Sequence, residues 1–139
     1  MSRGISAVID AYFDGVNEER YEDVADLFAD DGELVAPGTE PRRREAIAEY
    51  FSAALKPYPG HDDRPGRVLI AGSTALVEIH FTGTTESGCE IEFDAVDIFD
   101  FDEQDRITRL SSWYDSHLVR SRLREARGQG RDGFDVSTV

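Results

Sequence analysis

Hydrophobic positions in the first third of the chain recur at helical spacing. Ile5, Val8, Ile9, Tyr12, Phe13 and Val16 share one face, which predicts an amphipathic helix with Tyr12 inside its apolar stripe. Asn17 to Arg20 is a break. Tyr21, Val24, Leu27 and Phe28 predict a second, short helix, ended by a turn at Asp30, Asp31 and Gly32. Glu33 to Ala36 reads as a short strand stopped by Pro37 and Gly38. Between Pro41 and Pro57, the stripe Ile47, Tyr50, Phe51, Ala54 and Leu55 predicts a third helix.

After Lys56 the period changes from helical to alternating. Pro57 to Gly66, with three prolines and two glycines, reads as a loop. Val68 to Ala71 and Thr74 to Thr82 form a strand pair about Gly72 and Ser73, and Cys89 to Phe101 and Arg106 to Tyr114 are longer strands, so the second half is a curved antiparallel sheet. Ser116 to Arg127 closes as a short helix. Helices followed by a sheet give an α+β class, with the helices over one face of a strongly bent sheet. Such a cone holds a small apolar ligand at its open end.

One polar residue interrupts an inward stripe. In the strand 91–101, Ile91, Phe93, Ala95, Asp97, Phe99 and Phe101 share a face, so Asp97 points into the core. A carboxylate there must be paired, hydrogen-bonded or protonated, because an unpaired buried charge costs more than a marginally stable domain absorbs. Tyr12, in the first helix, faces the same cone. The two are either a catalytic pair or a buried structural hydrogen bond.

Composition narrows the classes. A chain of 139 residues with eight Phe and five Tyr suits one domain, residues 1–127, and Gly128 to Val139 reads as a mobile tail with little to bury. The formal net charge of −14 repels nucleic acid and anionic membranes. Lys56 is the only lysine, which speaks of the host's composition rather than of function. The lone Cys89 allows neither an internal disulfide nor a cysteine metal cluster, which favours a cytoplasmic home, and no targeting or membrane-spanning run is seen. His61, His80 and His117 lack ligand spacing, no calcium loop or Gly-rich phosphate loop appears, and so no metal or cofactor is expected.

The order of helix, helix, FADDGELVAPGTEP, helix, and a sheet ending in DAVDIFDFDEQDRITRLSSWYD resembles the nuclear transport factor 2-like superfamily, in its SnoaL-like and ketosteroid isomerase-like branch, over residues 5–118. The resemblance implies a cone of the NTF2-like kind. It places Tyr12 at the position of the isomerase's oxyanion-hole tyrosine and Asp97 at that of its protonated aspartic acid, a carboxyl kept neutral by its apolar site so that it can donate a hydrogen bond. The isomerase's general base is missing, because Leu34, Val35, Ala36 and Pro37 occupy its strand and Ala36 takes no proton. The water-activating set of limonene epoxide hydrolase is also absent, with Ile79, Phe81 and Ser112 at its positions.

The resulting expectation is a cofactor-independent SnoaL-like enzyme, an isomerase, cyclase or dehydratase of a small, mostly apolar carbonyl or epoxide compound. The competing class is a binding or dimerisation module without turnover, favoured by the loss of a base at Ala36. Tyr12 and Asp97 are the donors, while Asp63, His61 or Asp97 itself supplies the base. The expected wall is Phe93, Ala95, Ala36, Val77, Ile79, Ser112 and Tyr114. HDDR at 61–64 reads more readily as a solvated turn than as a source of the base. His80 is expected outside the pocket and His117 near the surface. Arg42 to Arg44 reads as the solvated start of the third helix, with the capacity to hold a carboxylate or phosphate. Val96, Ile98 and Trp113 on the opposite sheet face predict a homodimer.

Overall fold

The computed structural model describes residues 4–129. The elements run α1 (Ile5–Asn17), α2 (Tyr21–Ala25), β1 (Phe28–Val35), β2 (Arg42–Arg43), a 3-10 turn (Arg44–Ala46), α3 (Ile47–Leu55), β3 (Gly60–Ala71), β4 (Thr74–Thr84), β5 (Glu90–Phe101), β6 (Ile107–Trp113) and α4 (Ser116–Gln129). The expected tail at 130–139 lies outside the described residues, and Gly128 and Gln129 extend α4.

The six strands form one sheet in the order β2-β1-β6-β5-β4-β3. All pairings are antiparallel except β1 with β6, which is parallel. That exception arises because the chain turns back from β1 into β2, crosses through the 3-10 turn and α3, and returns to the other side of β1 only after the four-strand meander. The helices pack on the face that carries the inward residues of β4 and β5.

Two segments differ from the sequence expectation. Asp30 to Gly32 does not end a helix, because β1 already begins at Phe28. From Phe28 to Glu33 the strand advances five residues while β6 advances two, from Ile107 to Arg109, so the polar piece is a bulge inside a strand. A Cβ on Gly32 would stand 2.7 Å from the Ile107 carbonyl oxygen, so only glycine fits the bulge. The second segment is 60–66, expected as a loop, which is the first half of β3 and pairs with β4 from Gly60 to Pro65. Pro65 and Gly66 fall at a register shift, and β3 is the sheet edge, where a residue without an amide hydrogen is tolerated.

The core is built from the predicted stripes. Val8, Ile9, Tyr12, Phe13 and Val16 of α1 meet Val77, Phe99 and Leu110 of the sheet, all buried. The Tyr12 ring lies edge-on to Phe99, with centroids 5.1 Å apart. A second cluster, Tyr58, Phe81, Ile91 and Ala126, forms where α4 returns over the open end of the cone.

Candidate active site

The cone encloses a cavity of about 250 Å³, lined by Tyr12, Asp63, Asp97 and Ser112 among mostly apolar and aromatic side chains. At roughly 30 Å³ per water, that is room for about eight waters or one small organic molecule.

Alternation along β5 places Asp97 on the concave face, and ladder register places Ser112 directly opposite it on β6. Opposite residues share a face, so the Ser112 hydroxyl sits beside the Asp97 carboxylate and favours its charged form. Asp97 Oδ1, also buried, has no partner. Burial raises the Asp97 carboxyl from its ordinary 3.8 to about 7, against the lowering by Ser112 and with a further rise from the negative charge of Asp63.

Asp63 enters from β3, with β4 between it and Asp97 in the sheet. Its backbone is clamped by Asn17 at the end of α1. The Asn17 oxygen accepts from the Asp63 amide at 2.7 Å, and the Asn17 nitrogen donates to the Asp63 carbonyl at 3.0 Å. Both backbone groups are thereby satisfied while the carboxylate is left free. Asp63 Oδ1 is buried without a partner. Burial raises this carboxyl from 3.8 to about 6, with His61 lowering it and Asp62 raising it. The cavity therefore holds two acids whose carboxyls are both raised by burial.

Tyr12 supplies the third polar group. Burial, and then the charges of Asp97 and Asp63, hold its phenol well above 10.0, so it stays an O–H donor at neutral pH. No direct hydrogen bond joins Tyr12 to Asp97 among the described residues; both instead face the same space.

His61 takes a different place from the one expected. It lies two residues before Asp63 on β3 but does not line the cavity, and its side chain, 2% exposed, meets Glu19 at 2.9 Å. Glu19 is held in a left-handed turn conformation at φ 59°, which aims it at β3. His61 thus ties β3 to the loop after α1. Ala36 and Val77, expected on the wall, are buried in the core cluster, and Leu34 lines the cavity in place of Ala36. Val77 stands opposite Asp97 in the β4–β5 ladder, but its side chain is wholly buried among the core residues, and Ala36, one residue past the end of β1, is buried there too. Phe93, Ala95, Ile79, Ser112 and Tyr114 are on the wall. His80 lies outside, paired with Asp94 at 2.7 Å on the convex face, and His117 is exposed.

Sequence reading left Tyr50, Tyr58, Val119 and Leu123 out of the wall. Tyr50 carried the same signal as Tyr12, a tyrosine in an apolar helical stripe. Tyr58 carried none, lying in a proline-rich piece. Among the described residues no group of three or more metal-ligating side chains occurs, and no helix is long and apolar enough to cross a membrane.

The profile of the SnoaL-like domain family matches residues 9–110. No curated protein matches this sequence. Among solved structures, TerC co-crystallised with polyporic acid is 18% identical, with 86% of this chain and 98% of that chain covered and a TM-score of 0.76. A hypothetical protein with a ketosteroid isomerase-like protein fold from Catenulispora acidiphila, in complex with trimethylamine, is 15% identical, with 88% and 93% covered and a TM-score of 0.75. The epoxide hydrolase/cyclase-like enzyme SalBIII, from pyran ring formation in polyether salinomycin, is 19% identical, with 81% and 92% covered and a TM-score of 0.71. At these identities the likeness establishes the fold, an NTF2-like cone.

Proposed function

Because this chain belongs to the SnoaL-like domain family, we propose that its cone is the active site of a cofactor-independent enzyme that isomerises, cyclises or dehydrates a small carbonyl compound. The observation that carries this reading is the pair of buried, unpartnered carboxylate oxygens, Asp63 Oδ1 and Asp97 Oδ1, in one cavity with the Tyr12 phenol. Buried polar atoms are nearly always satisfied, and two acids on one cavity wall that each keep an unsatisfied oxygen mark where a substrate's polar atoms go.

In the proposed chemistry the substrate carbonyl oxygen accepts hydrogen bonds from Tyr12 and from protonated Asp97. Ionised Asp63 removes a proton from the carbon beside the carbonyl, and the C–H electrons become the enolate. The two donors stabilise the negative oxygen as it forms, which is where such donors act most strongly. Returning the proton from Asp63 to another carbon is isomerisation. Attack of the enolate carbon on an electrophile in the same molecule is cyclisation, and loss of a β-hydroxyl as water, with the proton now on Asp63, is dehydration. Asp63 thus replaces the base absent at Ala36.

Deuterium exchange beside the carbonyl tests the shared first step, whichever product follows. Small cyclic ketones incubated in D2O with the protein are expected to lose their α-proton NMR signals far faster than in buffer. A folded protein that binds such ketones and exchanges nothing would leave a binding module as the reading. The exchange rate is expected to follow a bell in pH, because Asp63 must be ionised and Asp97 protonated. It rises through about 6 and falls through about 7. A rate that climbs without a maximum up to pH 9 contradicts the donor role of Asp97.

The same reading includes a homodimer. Leu69, Leu76 and Trp113 are 63%, 39% and 50% exposed, and Leu76 pairs with Leu69 and Ile98 while Trp113 pairs with Val96, so all lie on the convex face. An apolar patch of this kind on a single chain is covered by association. Light scattering at micromolar concentration is expected to give twice the chain's 15.5 kDa, and Trp113→Glu with Leu76→Glu to give the single-chain mass. A wild-type monomer contradicts the dimer. The partner of the cavity is a small, mostly apolar molecule, and the lone Cys89 accords with action in the cytoplasm.

A further inference from the structure

Of the run Arg42 to Arg44, one member stands at the edge of the cone. Arg44 pairs with Asp30 at 2.6 Å, and Arg43 is exposed. Arg42 stands opposite Leu34 in the β1–β2 ladder, so the two side chains share a face, and Leu34 lines the cavity. The Arg42 guanidinium lies 6.0 Å from the ring centroid of Tyr50, another wall residue. Its Nε is buried without a partner, and its Nη2 reaches only the Thr39 hydroxyl, at 3.4 Å.

A second guanidinium approaches the same place. Arg120 of α4 brings its Nη1 to 3.9 Å from where a Cβ would stand on Gly38, the neighbour of Thr39. Between the two arginines, the phenols of Tyr50 and Tyr114 are close enough to influence each other's protonation. Burial raises both phenols, and against that rise Arg42 pulls Tyr50 down while Arg120 pulls Tyr114 down. Elsewhere Arg20, Arg44, Arg64, Arg67 and Arg106 each hold a carboxylate, while Arg43, Arg109, Arg122, Arg124 and Arg127 hold none among the described residues. Among the described residues no carboxylate pairs with Arg42 or Arg120, in a chain whose net charge is −14. What sets Arg42 apart from the other unpaired arginines is its buried Nε without a partner, and with Arg120 near it at the edge of a cavity this leaves a place for an anion brought by the ligand.

We propose that Arg42 and Arg120, with the Tyr50–Tyr114 hydroxyl pair, form an anion subsite at the rim of the cavity, and that the substrate carries a carboxylate there. The planar guanidinium of Arg42 matches a carboxylate, and its free Nε is a donor aligned for one. This inference rests on the cavity being the substrate site. It narrows the substrate to a small carbonyl compound with a carboxylate at the end remote from Tyr12 and Asp97.

Calorimetry with matched probes tests it. Phenol and 2-naphthol present a hydroxyl that stands in for the enol oxygen at Tyr12 and Asp97, while 4-hydroxybenzoate and 6-hydroxy-2-naphthoate add a carboxylate at the far end. At least one acid is expected to bind about tenfold tighter than its neutral parent. Arg42→Met removes that preference, Arg42→Lys keeps part of it, and Arg120→Met, at an exposed site where folding is not at stake, reduces it. Neutral phenols that bind, and weaken with Tyr12→Phe, while the acids gain nothing overturn the rim subsite and leave the cavity reading standing. A preference that survives Arg42→Met combined with Arg120→Met overturns it as well. If no probe binds, the cavity reading falls and the rim inference falls with it.

Discussion

Asp63→Asn lowers the rate of deuterium exchange beside a ketone carbonyl by about 10²- to 10⁴-fold, the range that a positioned general base contributes. The amide is nearly the same size and keeps the Asn17 clamp, which engages only the backbone of residue 63. Ketone affinity therefore changes little, and the loss falls on the rate rather than on binding. An independent readout follows from the charge coupling. Asp63 contributes to the raised carboxyl of Asp97, so removing its charge moves Asp97 down from about 7, which carboxyl-carbon NMR measures directly. Full exchange activity in Asp63→Asn would assign the base elsewhere. An Asp97 that titrates unchanged would mean that the two acids do not share the cavity electrostatically.

Asp97→Asn makes the protein more stable at pH 8 while removing its activity. Burial holds the folded-state carboxyl at about 7 against an ordinary 3.8, so between those values the folded chain carries a proton that the unfolded chain has released. The stability this group contributes is fully present below about pH 3.8 and is lost as pH rises through about 7. At 1.36 kcal/mol per pKa unit, the loss reaches about 4 kcal/mol. A neutral amide avoids it, which for a chain of this size raises the melting temperature at pH 8 by about 10 °C, and by little at pH 4. Such an exchange of stability for activity marks a functional residue. A variant that melts lower than wild type at pH 8 would instead make Asp97 a structural acceptor for Ser112, and the donor role would fall.

Much of the arrangement was legible because burial imposes a period. The stripe through Tyr12 in α1 and the alternation through Asp97 in β5 each assign a face without reference to the rest of the chain, and both side chains lie on the faces expected. The register that sets Ser112 beside Asp97 also follows from alternation once β5 and β6 are paired. Polar signals misled where a sheet edge or bulge used turn residues. Asp30 to Gly32 and Pro57 to Gly66 carry the residues of loops, yet a bulge and an edge strand also leave backbone groups outside the regular ladder, as a turn does.

Asp63 shows most plainly what depends on the third dimension. In sequence it sits in an acidic, proline-flanked piece with the composition of a solvated turn. In the fold it is a partly buried acid on the cavity wall, because Asn17, forty-six residues earlier, fixes its backbone and the curvature of the sheet carries it into the same cavity as Asp97. His61, from the same piece, is drawn outward to Glu19. Arg42 is separated from its two neighbours in the same way, by a two-residue strand whose register gives it the face of Leu34.

The sequence by itself determined the α+β class, the inward faces of α1 and β5, and the convex apolar face, because each follows from the spacing of apolar residues along a single element. The tertiary structure alone decided that Asp63 joins Tyr12 and Asp97, that Ala36 and Val77 are core rather than wall, and that Arg42 and Arg120 converge on two tyrosines. Those are relations between elements distant in the chain. Sheet curvature and helix packing fix them, and no local period encodes how far a bent sheet brings its edge strand over its centre.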